Sequence, residues 1–263
     1  MKNLIILLCL VTVFIGCDKN YIANTPTKFT GCRISKIVQY PLDSNNNNAY
    51  FFQYNADGTV SKIYSISKLY SEYNHLISFT YNTNFIIAIT NYQISPSYVN
   101  NDDSIALDTQ NRIINITNRS GGHGYLQNYS WETYSYNTTG NLQGITYFLY
   151  GQQSIDTLNW QNGDITNYYT NTNVSSNKNT YTYFYYDTVY NTGNITAEIN
   201  NLISYGRSIY NSTHLLKYKI TQTGNVKDTT KYTYQIDNAG KITSINQKYI
   251  LTDSTTLIYY ECE

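Results

Sequence analysis

Charge is scarce in this sequence. Only 13% of its 263 residues are Asp, Glu, Lys or Arg, and 17 basic residues balance 17 acidic ones. Nucleic-acid binding needs a clustered basic footprint, so this even, neutral distribution excludes it. Methionine occurs once and proline three times, and no Pro-rich or Gly-rich linker divides the chain. There is no G-x-S-x-G elbow, phosphate loop or dinucleotide fingerprint. No window carries convincing helical periodicity. No apolar run reaches the ~20 residues that a spanning helix needs.

The longest apolar run, Leu4–Ile15, follows Lys2 and ends in Phe14-Ile15-Gly16-Cys17. A short positive region, an apolar core and a small residue before cysteine read as a targeting segment with a lipobox. Residues 1–16 are therefore expected to be a lipoprotein signal peptide. Residues 17–30 are a lipidated tether, with Cys17 as the lipidation site, and residues 31–263 form a single all-β domain. The expected location is the outer membrane, on its periplasmic or surface face, with the membrane as a partner through the lipid anchor. Cys9 leaves with the signal and Cys17 is acylated. Cys32 and Cys262 then remain, one in the first strand and one in the last, in a compartment where a pair can persist.

Tyrosine is abundant: 31 residues, roughly one in eight, set among Thr, Asn and Ser. These residues suit pleated strands and disfavour helices. The stretch Y-S-Y-N-T-T-G-N-L-Q-G-I at 134–145 reads as a hairpin. Tyr134 and Tyr136 share a face, Asn137 starts the turn, and Gly140 supplies the positive φ that closes it. Copies recur at 52–63 (F-Q-Y-N-A-D-G-T-V-S-K-I) and 234–245 (Y-Q-I-D-N-A-G-K-I-T-S-I), with Gly58 and Gly240 at the turns. Weaker copies at 81–89 and 107–116 lack glycine, and Asn84 or Asn111 is expected to substitute. Anchor residues at Tyr54, Tyr81, Leu107, Tyr136, Trp160, Tyr186, Tyr210 and Ile236 are 24 to 29 residues apart, which is the mark of a repeat architecture.

These copies resemble the YD-type repeats of RHS proteins: an aromatic, Asp or Asn, two residues, Gly, a polar residue and an aliphatic. Asn replaces the usual Asp in most copies, and the Gly-Arg pair common in RHS proteins is missing. With the lipoprotein start, the resemblance extends to Bacteroides-type lipoproteins of unknown function, a family that implies no catalytic residues.

The expected fold is an all-β antiparallel meander of about eight hairpin repeats, about 26 residues each, in one large curled sheet. Sixteen or so strands laid flat would span roughly 75 Å, and sheets of that width curl, split or close. A Cys32–Cys262 disulfide would require the two ends to meet, as a flattened barrel or two-layered roll. An open coiled sheet with two free thiols is the alternative. A membrane-spanning barrel is a further one, opposed by the lipobox and by the charged end Glu261-Cys262-Glu263.

No constellation commits to a chemistry. His75, His123 and His214 fall in different repeats without ligand spacing, so neither a metal nor any other cofactor is expected. Glu132 with Asp156 could form the carboxylate pair of a glycan hydrolase. The favoured reading is a non-catalytic binding or scaffolding module that uses a tyrosine-rich sheet surface. Tyr134, Tyr136, Tyr183 and Tyr185 are its candidate binding aromatics, displayed to solvent, and a glycan or envelope protein is its partner.

Overall fold

The computed structural model describes residues 31–40, 47–68, 70–71, 74–92, 101–120, 128–149, 152–172, 179–190, 199–207, 209, 212–249 and 253–262. Residues 1–30, where the signal peptide and the tether with Cys17 are expected, and His123 lie outside the described residues.

Sixteen strands follow one another: β1 (Cys32–Tyr40), β2 (Asn48–Tyr54), β3 (Val60–Ser67), β4 (His75–Tyr81), β5 (Phe85–Tyr92), β6 (Asn101–Leu107), β7 (Ile113–Ser120) and β8 (Asn128–Tyr136). The second half comprises β9 (Leu142–Leu149), β10 (Gln152–Gln161), β11 (Asp164–Thr172), β12 (Asn179–Tyr190), β13 (His214–Thr223), β14 (Val226–Ile236), β15 (Ile242–Lys248) and β16 (Asp253–Cys262). Among the described residues one helix, α1 (Ile199–Tyr205), lies between β12 and β13. Each strand pairs with its sequence neighbours, and β1 pairs antiparallel with β16, so the meander closes into a barrel. Closure removes both sheet edges. Cys32 stands opposite Cys262 in that last register and is disulfide-bonded to it across 230 residues.

The repeats end in tight turns at one end of the barrel. Gly58, Gly140 and Gly240 take φ of 84°, 85° and 80° there, and Asn111 takes 61°. Asn84 keeps a negative φ. At the β8–β9 and β14–β15 turns the starting Asn or Asp works as an acceptor: Asn137 Oδ1 receives the Thr139 and Asn141 N–H groups, and Asp237 Oδ1 those of Ala239 and Lys241. Strands β2–β15 pair off as seven repeats, six of them closed by tight turns. The anchor spacing suggests one more, because the connection from β12 to β13 takes up a further copy's length; Tyr210 lies outside the described residues.

The anchor aromatics do more than fill space. Most reach across to the preceding strand and donate to a backbone carbonyl there, whereas Tyr186 Oη on β12 donates to Tyr232 O on β14 at 3.0 Å. Tyr54 Oη bonds Ile34 O at 2.6 Å, Tyr136 Oη bonds Ile113 O at 2.7 Å, and Trp160 Nε1 bonds Leu142 O at 2.6 Å. Tyr234 and Tyr260 do the same to Leu216 and Ile242 at 2.8 and 2.9 Å. Each of these preceding-strand carbonyls lies at or beside a β-bulge, where the ladder leaves groups unpaired. An aromatic with a polar tip therefore suits these positions.

Inward-facing residues form rows. Nearest the tight turns are Tyr54, Leu107, Ile113, Tyr136, Leu142 and Trp160, and above them Phe52, Ile63, Ile105, Ile116, Tyr134, Ile145 and Leu158. Both rows belong to one apolar core or pack against it. A barrel of sixteen strands leaves a wide lumen, and side chains of ordinary size on one wall cannot fill it. Part of the filling comes from described residues between β12 and β13. Ile203 of α1 joins the core, and the Cβ position of Gly206 lies 3.2 Å from Phe79 and Tyr81 on the far wall. Arg207 Nη2 donates to Asn111 O at 2.6 Å. The tight-turn end thus has a floor.

Candidate functional site

The next inward row is polar. Two residues beyond Ile105 on the same face comes Asp103; beyond Tyr134 comes Glu132; beyond Leu158 comes Asp156. Around the same row stand Asn118 opposite Asp103, Tyr147 opposite Glu132, and, further round, Lys219 and Gln247. Asp156 is buried, while Asp103, Asn118, Glu132, Tyr147, Lys219 and Gln247 stay half-buried. Inward residues that keep contact with solvent mark a wet upper lumen above a dry floor.

Tyrosines organise the acids. Tyr134 donates to Glu132 and Tyr168 to Asp156. Tyr147 also hydrogen-bonds Asp156. Tyr205, at the end of α1, sits close enough to feel Glu132 and Asp103. Burial, then the nearby Glu132 and Asp102 charges, push the Asp103 carboxyl up to about 6. Burial raises Glu132 too, reinforced by Asp156 and opposed by the Tyr134 hydroxyl. Asp156 is raised by burial against its two tyrosine bonds. No described Lys or Arg on β8, β9, β10 or β11 offsets these charges. Among the described residues no three His, Cys, Asp or Glu side chains converge to hold a metal ion.

Lys219 stands across the lumen on β13. Burial lowers its ammonium pKa, and Asp228 opposes the shift. Asp228 Oδ1 and Asn118 Oδ1 are buried atoms without a hydrogen-bond partner.

The structure places the expected residues differently. Tyr134, Tyr136, Tyr183 and Tyr185 were expected to face solvent; all four face inward, in or against the core. Alternation along a strand separates two faces but does not say which is inside, and closure creates an interior wide enough to take tyrosines. Glu132 and Asp156, weighed from the sequence as a pair, do share one wall, on strands separated only by β9. Asp103 and Lys219 had no local signal, because their neighbours come from register alone. His214 is part-buried, its Nδ1 2.7 Å from Asp164 Oδ2, while Asp164 Oδ1 accepts the His214 N–H at 2.9 Å. That pair pins the start of β13 to the β10–β11 turn. His75 packs its ring on Tyr92 at 5.3 Å.

The outer face is suited to water. Lys36, Lys62 and Lys231 point outward from strand interiors and Asp102, Lys227 and Lys248 from strand ends, and Lys231 stands opposite Lys248. Membrane-spanning barrels show the reverse pattern, apolar outside and polar within. A lysine at mid-membrane on the lipid face costs about 2–4 kcal/mol.

The sequence matches no family model and no curated protein. The fold does have solved neighbours. It is similar to a porin-like protein from Bacteroides uniformis, with a TM-score of 0.65 and 16% identity, over 90% of this chain and 100% of that one. It is also similar to a porin-like protein from Bacteroides vulgatus, with a TM-score of 0.60 and 12% identity, over 87% of this chain and 98% of that one. At such identities the likeness shows the fold alone: this chain is an all-β closed barrel of the architecture found in those porin-like proteins.

Proposed function

We propose that this protein is a cell-envelope lipoprotein, acylated at Cys17, whose barrel stands in water and binds a small polar ligand in its upper lumen without transforming it. The observation that carries this reading is the third inward row. Polar, part-exposed side chains sit there above an apolar floor closed by α1, as in a cup. Ligand sites combine such concavity with a few oriented polar groups. Three carboxylates with raised pKa and no cation on their own strands favour an amine-bearing ligand, whose charge would relieve their repulsion. The porin-like neighbours and the lipobox support an outer-membrane setting.

The test is titration calorimetry of the purified chain with spermidine as a cationic probe and maltotriose as a neutral one. Spermidine should bind, and Glu132→Gln should weaken it about tenfold or more. Equal binding of maltotriose, or none of spermidine, would overturn the reading. For anchoring, Cys17→Ser should release the protein from membranes; persistent membrane fractionation would contradict it.

The glycan-hydrolase reading rests on Glu132 and Asp156 facing one lumen. Two strand spacings put their backbones about 10 Å apart, near the wider range for carboxylate pairs. Each acid, however, is held by a tyrosine. Turnover of a glycan that Glu132→Gln abolishes would replace the non-catalytic reading with this one.

A further inference from the structure

The outer face is uneven, and the lumen site does not use it. Strands β14 and β15 turn Lys227, Lys231 and Lys248 to solvent. On β9, β10 and β11 the only charged residues are Asp156, which faces inward, and Asp164, which His214 holds. In their place lies an aromatic strip. Trp131 on β8 stands opposite Phe148 on β9, and their rings stack at 4.6 Å between centroids, 17° from parallel. Ile155 on β10 is opposite Thr146 and hence diagonal to Phe148. Tyr169 on β11 is opposite Thr157 and diagonal to Ile155. Diagonal neighbours about 7–8 Å apart remain in reach of large side chains. Trp131, Ile155 and Tyr169 are 40%, 44% and 39% exposed.

We propose that this strip, Trp131–Phe148–Ile155–Tyr169, is a docking platform for a neutral polysaccharide chain. The C–H face of a pyranose ring is flat, apolar and slightly positive, and complements the negative face of an indole or phenol ring. The hydroxyl edge of the sugar needs uncharged donors and acceptors, and Thr133, Thr146, Gln153 and Thr157 border the strip. Charge and area select the occupant. A surface without exposed charge on three adjacent strands offers nothing to a polyanion or polycation. Large side chains of this kind bury about 150–250 Å² when fully covered; at about two-fifths exposure, Trp131, Ile155 and Tyr169 together offer roughly 200–300 Å². A stable protein interface takes about 800 Å² per partner. The strip is wide enough for a linear chain and too narrow for a protein or a second copy.

The test is affinity electrophoresis of the full chain in gels containing hydroxyethyl cellulose, soluble starch, laminarin or polygalacturonate, with Trp131→Ala, Tyr169→Ala and Lys231→Ala alongside. Near-ultraviolet circular dichroism and non-reducing mobility would report that each variant remains a closed barrel. The wild type and Lys231→Ala should be retarded by at least one neutral glucan. Trp131→Ala and Tyr169→Ala should each lose that retardation at least fivefold. The proposal fails if no neutral glucan retards the wild type, if the aromatic variants are retarded as strongly, or if only polygalacturonate or phosphatidylcholine vesicles bind. It also fails if Trp131→Ala converts a dimer into a monomer.

Discussion

The two halves of the lumen are built by the same strands yet behave differently. Near the tight turns, Ile63, Ile86, Ile105 and Ile116 have no exposure to solvent. Two residues further along the same inner face, Asp103 and Glu132 remain wet. The backbone period is unchanged, so only side-chain choice separates them. The lower rows supply cohesion: apolar area removed from water, plus tyrosines that hold the bulged carbonyls. The upper row spends stability, because its carboxyls are held in a setting that disfavours their charge. Groups that cost stability and remain accessible are where function is expected.

Four experiments would break or sharpen this contrast, from the largest effect to the smallest. The disulfide closes both halves at once. Cys32→Ser opens a loop spanning 230 residues, for which the chain-entropy model gives a loss of up to about 5 kcal/mol. Urea unfolding with and without reductant reads it, and a shift far smaller than that would mean the hydrogen-bonded β1–β16 seam closes the barrel unaided. In the dry half, Ile105→Ala should cost about 2–5 kcal/mol, since a fully buried side chain leaves a cavity. The same truncation of half-buried Tyr147 in the wet half should cost clearly less by chemical denaturation.

At the turns, Gly140→Val should cost about 1–3 kcal/mol, because a β-branched residue is strained at φ of 85°. Asn137→Ala there should add a smaller loss, read as a fall in melting temperature. The smallest effect has the opposite sign. Asp103 is raised from 3.8 to about 6 in the fold. The unfolded chain therefore gives up this proton first as pH rises. Its contribution is most favourable below about pH 4 and is lost between pH 4 and 6. Asp103→Asn should accordingly stabilise the protein at pH 7, on the order of 1 kcal/mol, and flatten stability between pH 4 and 6. Destabilisation at pH 7 would show that the charged carboxylate is used structurally.

Local chemistry was legible in the sequence, and position in the ring was not. Gly58, Gly140 and Gly240 declared their turns because a positive φ is a property of a few residues. The pairing of Cys32 with Cys262 followed from strand order and the cost of a very wide sheet. The direction of the tyrosines was hidden: Y-T-Y-F-Y-Y at 181–186 offers aromatics to both faces, and only closure decides that Tyr183 and Tyr185 point inward while Phe184 stacks outside on Tyr218 at 4.3 Å. Helix α1, I-N-N-L-I-S-Y, is too short and too rich in Asn and β-branched residues to show a period. The upper row was legible only in part: Glu132 and Asp156 could be weighed as a pair, but Asp103 could not be joined to them. Asp103, Glu132 and Asp156 lie on alternate strands, and their proximity exists only in the register of the barrel.

The central claim is that the barrel carries its apolar surface inside and stands in water. The most direct measurement is sedimentation of residues 18–263, produced without lipid and kept free of detergent, followed by mixing with liposomes. The account predicts a monodisperse, β-rich, disulfide-closed monomer that stays in solution and makes no conducting pores. Aggregation that only detergent reverses, together with insertion into the bilayer, would contradict it.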